Sequence, residues 1–146
     1  MKNVPVSFCA RKSRGFTLTE LLIVIAVVAL LAAIAIPSYR NQVAKTNRSN
    51  AMAVLQGFSQ AMERFYAQNN TYVGAAVGTV YPSQSPLDGA ARYSLSIVSQ
   101  SSTAYQLRAT PVGTQVGDGY LELLSTGERR WDRNNNNSID SNENTW

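Results

Sequence analysis

Histidine is absent from this 146-residue sequence, and cysteine occurs once, as Cys9. Without imidazole, the commonest general base and the commonest metal ligand are missing. A lone thiol closes no bridge within the chain, so the C-terminal region has to be held by something other than a disulfide. No glycine-rich phosphate loop and no carboxylate pair at acid–base spacing is present, and the many serines have no base beside them. An enzyme is not expected. Charge is scarce too, at 15% of residues. The formal net charge of +4 comes from the first 15 residues, which carry Lys2, Arg11, Lys12 and Arg14. From residue 16 onward nine basic residues face nine acidic ones. Arg92, Arg108, Arg129, Arg130 and Arg133 could contribute to a basic stripe, but the balance of zero means that no nucleic-acid partner is expected.

What the chain does have is one long apolar run. Leu21 to Ile36 contains no charge and is closed by Pro37. Counted with Phe16 to Glu20 it makes about 21 residues, or roughly 30 Å of helix at 1.5 Å per residue, enough to cross a bilayer. The basic residues before it would hold the N-terminal end on the cytoplasmic side. An ordinary secretory signal has its cleavage site after the apolar region; here the only plausible processing point, Gly15-Phe16, lies in front of it. Glu20 is the one acid inside the segment. An ionised carboxylate there costs roughly 2.5–3.5 kcal/mol at the bilayer centre and less near an interface, so it needs a partner.

Arg14-Gly-Phe-Thr-Leu-Thr-Glu20, the apolar run and Pro37 together resemble the N-terminus of a type IV prepilin. The resemblance implies that a prepilin peptidase cuts between Gly15 and Phe16 and that the new Phe16 amine is methylated. It implies further that Glu20 pairs with the N-terminal amine of a neighbouring subunit during assembly. Residues 63–72, Glu-Arg-Phe-Tyr-Ala-Gln-Asn-Asn-Thr-Tyr, are similar to the helix end of PilE-like minor pilins. The leader would then be 1–15, the membrane and assembly helix 16–37, and the periplasmic domain 38–146.

Beyond Pro37, which is expected to kink or locally melt the helix, the helical period continues. Ala44, Ala51, Leu55, Phe58, Met62 and Phe65 recur at spacings of three, four and seven, while Arg40, Lys45, Arg48, Glu63 and Arg64 fall mostly on other faces. One helix to about residue 68 is therefore expected to serve two solvents. Gly57 is read as room for close packing against a sheet. Asn69-Asn70 ends the helix, and 69–92 reads as a long Gly/Ser/Pro-rich loop. Period-two stretches Tyr93–Ser99 and Ala104–Val112 form a hairpin through Ser101-Ser102; Tyr120–Leu124 and Glu128–Trp131 add two more strands. The fold class is α+β: a long N-terminal helix, half transmembrane and half amphipathic, packed on a small antiparallel sheet over 93–131.

The C-terminal loop, 132–146, holds the one candidate ligand set. Asp132, Asn134, Asn136, Asp140 and Glu143 offer side-chain oxygens at positions one, three, five, nine and twelve of a twelve-residue frame, and Ser138 offers its carbonyl at position seven. This is the spacing of an EF-hand loop. Asn137 stands where that pattern has glycine, and asparagine is one of the residues that accepts positive φ. With three carboxylates, a calcium affinity on the order of 10⁻⁴–10⁻³ M is expected. No cofactor is otherwise required. The sequence reads as a structural subunit: a minor pilin, with a type II secretion pseudopilin as the alternative and a DNA-uptake pilin as the lesser one. Its expected partners are prepilin peptidase, other major and minor pilins and the inner membrane, and its final place is the pilus on the cell surface.

Overall fold

The computed structural model describes residues 15–143 and 145–146. The leader expected over 1–15 lies outside them, Gly15 apart. A single helix, α1 (Leu18–Asn69), is followed by five strands: β1 (Gln84–Ser85), β2 (Tyr93–Gln100), β3 (Tyr105–Pro111), β4 (Leu121–Leu124) and β5 (Arg129–Trp131). A short 3-10 turn, Gly113–Gln115, lies between β3 and β4. This is the α+β arrangement expected from the sequence.

Contacts divide the chain into Met1–Tyr39 and Arg40–Trp146. In the first unit the apolar side chains of α1 are solvent-facing: Leu22 is 52%, Leu30 70% and Ile34 75% exposed. The helix is long and apolar enough here to cross a membrane. It is not interrupted at Pro37, contrary to the local melting expected. Proline removes one i to i−4 hydrogen bond, that to the carbonyl of Ala33, and helical bonds on both sides carry the chain through.

The second unit has its own core. Ala51, Leu55, Phe58 and Met62 of α1, at the predicted helical spacing, are fully buried against Tyr93, Leu95, Tyr105, Leu107, Ala109, Leu121 and Leu123. Each large side chain buried this way stabilises the fold by roughly 1.5–3 kcal/mol. The sheet is antiparallel throughout, in the order β1-β2-β3-β4-β5. Core and outward residues alternate as the pleat demands, so Leu107 and Leu121 face the helix while Arg108 and Glu122 face away. Ser101 closes the β2–β3 turn, its hydroxyl accepting the Ala104 N–H at 3.0 Å and its N–H donating to the Ala104 carbonyl at 2.8 Å. Asn70, at φ 55°, ends α1 in the left-handed conformation, with its N–H on the Tyr66 carbonyl at 2.7 Å.

Gly57 does not meet the sheet. Its missing Cβ makes room for Tyr81 of the 70–92 loop, whose hydroxyl lies 2.5 Å from where that carbon would be. The Tyr81 ring stacks on Phe58 at 5.3 Å between centroids, so the glycine lets the loop clamp onto the helix. Within that loop β1 is a strand of two residues the sequence does not announce, pairing with Tyr93 and Ser94 at the sheet edge.

Candidate functional site

At the start of α1, Thr17 and Glu20 satisfy each other. The Thr17 hydroxyl accepts the Glu20 N–H at 3.2 Å and donates to Glu20 Oε2 at 2.8 Å, while the Thr17 N–H reaches the same oxygen at 2.9 Å. This is a capping box, Thr-Leu-Thr-Glu, and its signature stands in the sequence, although the reading above uses only the glutamate. Gly15, Phe16, Thr17 and Glu20 line one shallow hollow, with Phe16 90% exposed. The structure therefore brings the expected cleavage and assembly residues Gly15, Phe16 and Glu20 together, and Pro37 stands apart from them, further along α1.

A second cluster joins α1 to the 113–119 turn. Arg48, one of the residues read as mostly off the apolar face, pairs with Asp118, its Nε donating to Oδ2 at 2.9 Å. Its guanidinium lies 3.9 Å from the Trp131 ring centroid. Burial works against that charge, but the Asp118 carboxylate outweighs it and holds the guanidinium pKa above its ordinary value. Tyr93 donates to the same carboxylate, and its phenol is pushed well up, first by burial and then by Asp118. Gln115, also buried, bridges the Ala44 carbonyl at 3.0 Å and Asp118 at 2.9 Å, and accepts from Asn47 at 3.0 Å. The joining of α1 to the turn was not legible from periodicity, because those partners lie about 70 residues apart in sequence.

The outward face of the sheet carries the row Arg108–Glu122–Arg130 in register. Glu122 is 2% exposed, accepting from Arg108 at 2.7 Å with Arg130 at 3.9 Å. Strand alternation alone predicts an exposed glutamate; the flanking arginines and Tyr120 cover it. Four arginines lie over aromatic rings: Arg48 and Arg133 on Trp131, Arg108 on Tyr120 and Arg129 on Trp146.

The C-terminal loop folds back on this region. The Trp131 N–H donates to the Glu143 carbonyl at 3.0 Å, the Trp131 indole to the Asp118 carbonyl at 2.8 Å, and the Trp146 indole to the Glu122 carbonyl at 3.1 Å. Asp132 is fully buried and Glu143 4% exposed. Asp132 accepts the Asn136 and Asn137 N–H groups at 3.0 Å, and Glu143 accepts those of Asn134 and Asp140 at 3.1 Å. Asn134 and Asn136 amides turn toward Asp140, at 2.8 and 3.3 Å. Ser138 donates its N–H to Asn136 at 2.8 Å. Asn137 has φ 63°, so it takes the backbone conformation that glycine has in the calcium-loop pattern. Neither Asp132 nor Glu143 forms an ion pair among the described residues. Both carboxylates are thus satisfied by backbone N–H groups, and no group of three or more His, Cys, Asp or Glu side chains among the described residues is placed to hold a metal ion. Nearby Tyr120 has its phenol pKa raised, by burial first and then by Glu122.

Compared with known proteins, residues 10–36 match the family model for the prokaryotic N-terminal methylation motif. Residues 37–120 match the one described as type IV minor pilin ComP, DNA uptake sequence receptor. The chain is 29% identical over 126 residues to a fimbrial protein of Neisseria meningitidis serogroup B, covering 86% of this chain and 69% of that protein. A type IV major pilin protein PilE1 of Neisseria gonorrhoeae is 41% identical over 69 residues, 43% of this chain and 42% of its own length. A fimbrial protein of Pseudomonas aeruginosa is 29% identical over 128 residues, 84% and 82% of the two chains. The chain thus spans well under two thirds of the gonococcal relative.

Proposed function

We propose that this chain, which belongs to the type IV pilin family, is a minor subunit of a pilus or of its priming or tip complex. The observation that carries the reading is the match of residues 37–120 to a minor-pilin family model, set beside an apolar half-helix whose side chains are left exposed. In this reading prepilin peptidase cuts between Gly15 and Phe16, and the Phe16 amine is methylated. The apolar helix holds the subunit in the inner membrane as a single pass, with the leader cytoplasmic and the domain periplasmic. Assembly with major and other minor pilins then transfers the helix from lipid to the filament core. Lipid is about as apolar as that core, so polar pairing through Glu20 and shape decide register more than hydrophobicity does. Pilus biogenesis, twitching motility and adhesion are what such a subunit supports. Deleting the gene and scoring twitching and surface filaments beside exoprotein secretion tests this. Lost twitching with intact secretion is expected; lost secretion with normal pili would make the subunit a type II secretion pseudopilin.

A DNA-uptake role is the second reading. It is supported by the printed description of the matched family model and by four arginines laid on aromatic rings, of which Arg129 and Arg133 have no carboxylate within 4 Å among the described residues. Binding of the detergent-solubilised chain to duplex DNA should then weaken steeply with salt and fall in R129A/R133A. Salt-independent or undetectable binding rejects it.

The C-terminal loop is proposed to take calcium, held by Asp132, Asn134, Asn136, Asp140, Glu143 and the Ser138 carbonyl, and the burial of Asp132 and Glu143 with no ion pair among the described residues supports this. The ion would neutralise Asp132 and Glu143 and tie the loop to β5. Saturating millimolar calcium should raise the melting temperature of the full chain, and D132N should abolish that rise. Equal melting with calcium and with chelator removes the ion from the reading.

A further inference from the structure

From Leu21 to Met62 the sequence holds no acidic residue and three basic ones, Arg40, Lys45 and Arg48. Arg48 is committed to Asp118. Arg40 and Lys45 are exposed, and neither forms an ion pair among the described residues. Both stand on α1 just past the apolar run. At 1.5 Å per residue, Arg40 comes about 6 Å of helix after Ile36 and Lys45 about 13 Å after it. The headgroup layer is roughly 5–7 Å deep on each side of the hydrocarbon, so Arg40 falls within it, and the long stem of Lys45 lets the ammonium reach back toward it. Lys45 lines a shallow hollow with Gln42, Thr46, Ser49, Asn50 and Ala53, which offers hydroxyl and amide groups and no carboxylate. Basic residues at this end of a span run against the usual bias, which places lysine and arginine at the cytoplasmic end. A reason for them lies in the surface they meet.

We propose that Arg40 and Lys45 bind anionic phospholipid headgroups in the leaflet on the domain's side of the membrane, and so hold the unassembled subunit at a fixed depth. The inference rests on the reading of α1 as a single membrane pass with the domain periplasmic, and it adds a ligand class and two residues to that reading. Charge selects the occupant: two cations with no acid on the same stretch attract a surface of net negative charge and repel a basic one. Position selects it too, because the site is continuous along α1 with the segment that lipid surrounds. An anionic lipid touching one such residue is favoured about fivefold over a zwitterionic one at low salt. The guanidinium holds a phosphate through paired N–H donors, and the ammonium holds it as a point charge. Moving α1 from the bilayer into a filament breaks these contacts, whereas the apolar side chains pass from lipid to a core of similar polarity. The headgroups therefore add a restraint on departure that the apolar run does not supply.

The test places the full chain, purified in detergent from its own cells, in phosphatidylcholine vesicles carrying a small share of spin-labelled lipid. Electron paramagnetic resonance gives the fraction of label slowed by the protein, once with spin-labelled phosphatidylglycerol and once with spin-labelled phosphatidylcholine. The parent should slow phosphatidylglycerol about twofold or more over phosphatidylcholine, the fivefold preference being diluted over all the lipids that ring the helix. The excess should shrink in roughly 1 M salt, where charges are screened beyond about 3 Å. R40Q and K45Q should each lower it, and R40Q/K45Q should lower it most. R40K/K45R keeps both charges and should keep the excess. R64Q changes an exposed arginine further along α1 and should match the parent. The drop from parent to R40Q/K45Q is the readout, since the basic residues of an uncut leader, detected by mass spectrometry, would add equally to both. Equal slowing of the two lipids by the parent would overturn the inference. So would an excess that survives R40Q/K45Q, or an equal drop in R40K/K45R, which would trace the effect to shape rather than charge. Those three results leave the single pass standing, whereas slowing of neither lipid would remove that reading and the inference with it.

Discussion

At the scale of single residues, the strictest requirement in the domain is Gly119. It takes φ +74°, and a Cβ there would lie 1.7 Å from the Asp132 carbonyl oxygen, a backbone atom that cannot swing aside. Gly119→Ala should therefore cost about 3 kcal/mol or more, through strain and the parting of the 113–119 turn from β5. A thermal melt of the full chain in detergent, with a fall of several degrees or more, is the expected record, and an unchanged melt contradicts the clash. Tyrosines give a second residue-scale outcome. Tyr72 and Tyr105 both donate to Glu63, at 3.0–3.1 Å, and both phenols are pushed up from 10.0 to about 12, by burial first. The folded chain then keeps protons that the unfolded chain releases, so their contribution is complete below pH 10 and drains away as pH climbs from 10 toward 12. Alkaline melts should fall steeply in that window, and tyrosinate absorbance should lag behind that of free tyrosine; a flat profile to pH 12 speaks against both. These positions were not legible beforehand. A glycine among nine in the sequence gives no sign of the carbonyl it accommodates, and a buried phenol looks like any other strand residue until its partner is known.

At the scale of elements, α1 and the strands were legible because their burial is periodic. Leu55, Phe58 and Met62 repeat at helical spacing, and Leu107 and Leu121 alternate with charged neighbours. The loop over 70–92 was not, since its two-residue β1 and its Tyr81 clamp depend on what the loop meets rather than on any pattern within it. Gly57 illustrates the difference: a weak helix former by propensity, it is retained where Tyr81 presses on the helix. Gly57→Ala should gain about 1 kcal/mol of helix propensity and lose more by displacing the phenol, a net loss of about 1 kcal/mol. Adding Tyr81→Phe in the same chain removes the atom at 2.5 Å and should recover part of that loss. Additive melts for the pair, measured as a double-mutant cycle, would show that the two residues do not act on each other.

At the scale of the whole molecule, two of the four clusters were partly visible in advance. The N-terminal group stood out because a charge inside an apolar run is costly wherever it occurs, and the ligand frame of the C-terminal loop stood out by its spacing. What spacing could not convey is how the last segment is fastened: Trp131 to the Glu143 carbonyl and Trp146 to the Glu122 carbonyl, with Asp132 and Glu143 turned inward. The partner of Arg48 was hidden for the same reason, lying far along the chain. The manner of that fastening reaches beyond the fold. One cysteine in the sequence closes no bridge within the chain, so, if the domain is periplasmic as proposed, its folding waits on no thiol oxidase. Cells lacking their disulfide-forming enzymes, or grown with a permeant thiol reductant, should therefore hold the same amount of it at the same protease resistance, ready for assembly in a compartment where sulfur-stapled exported proteins have become scarce.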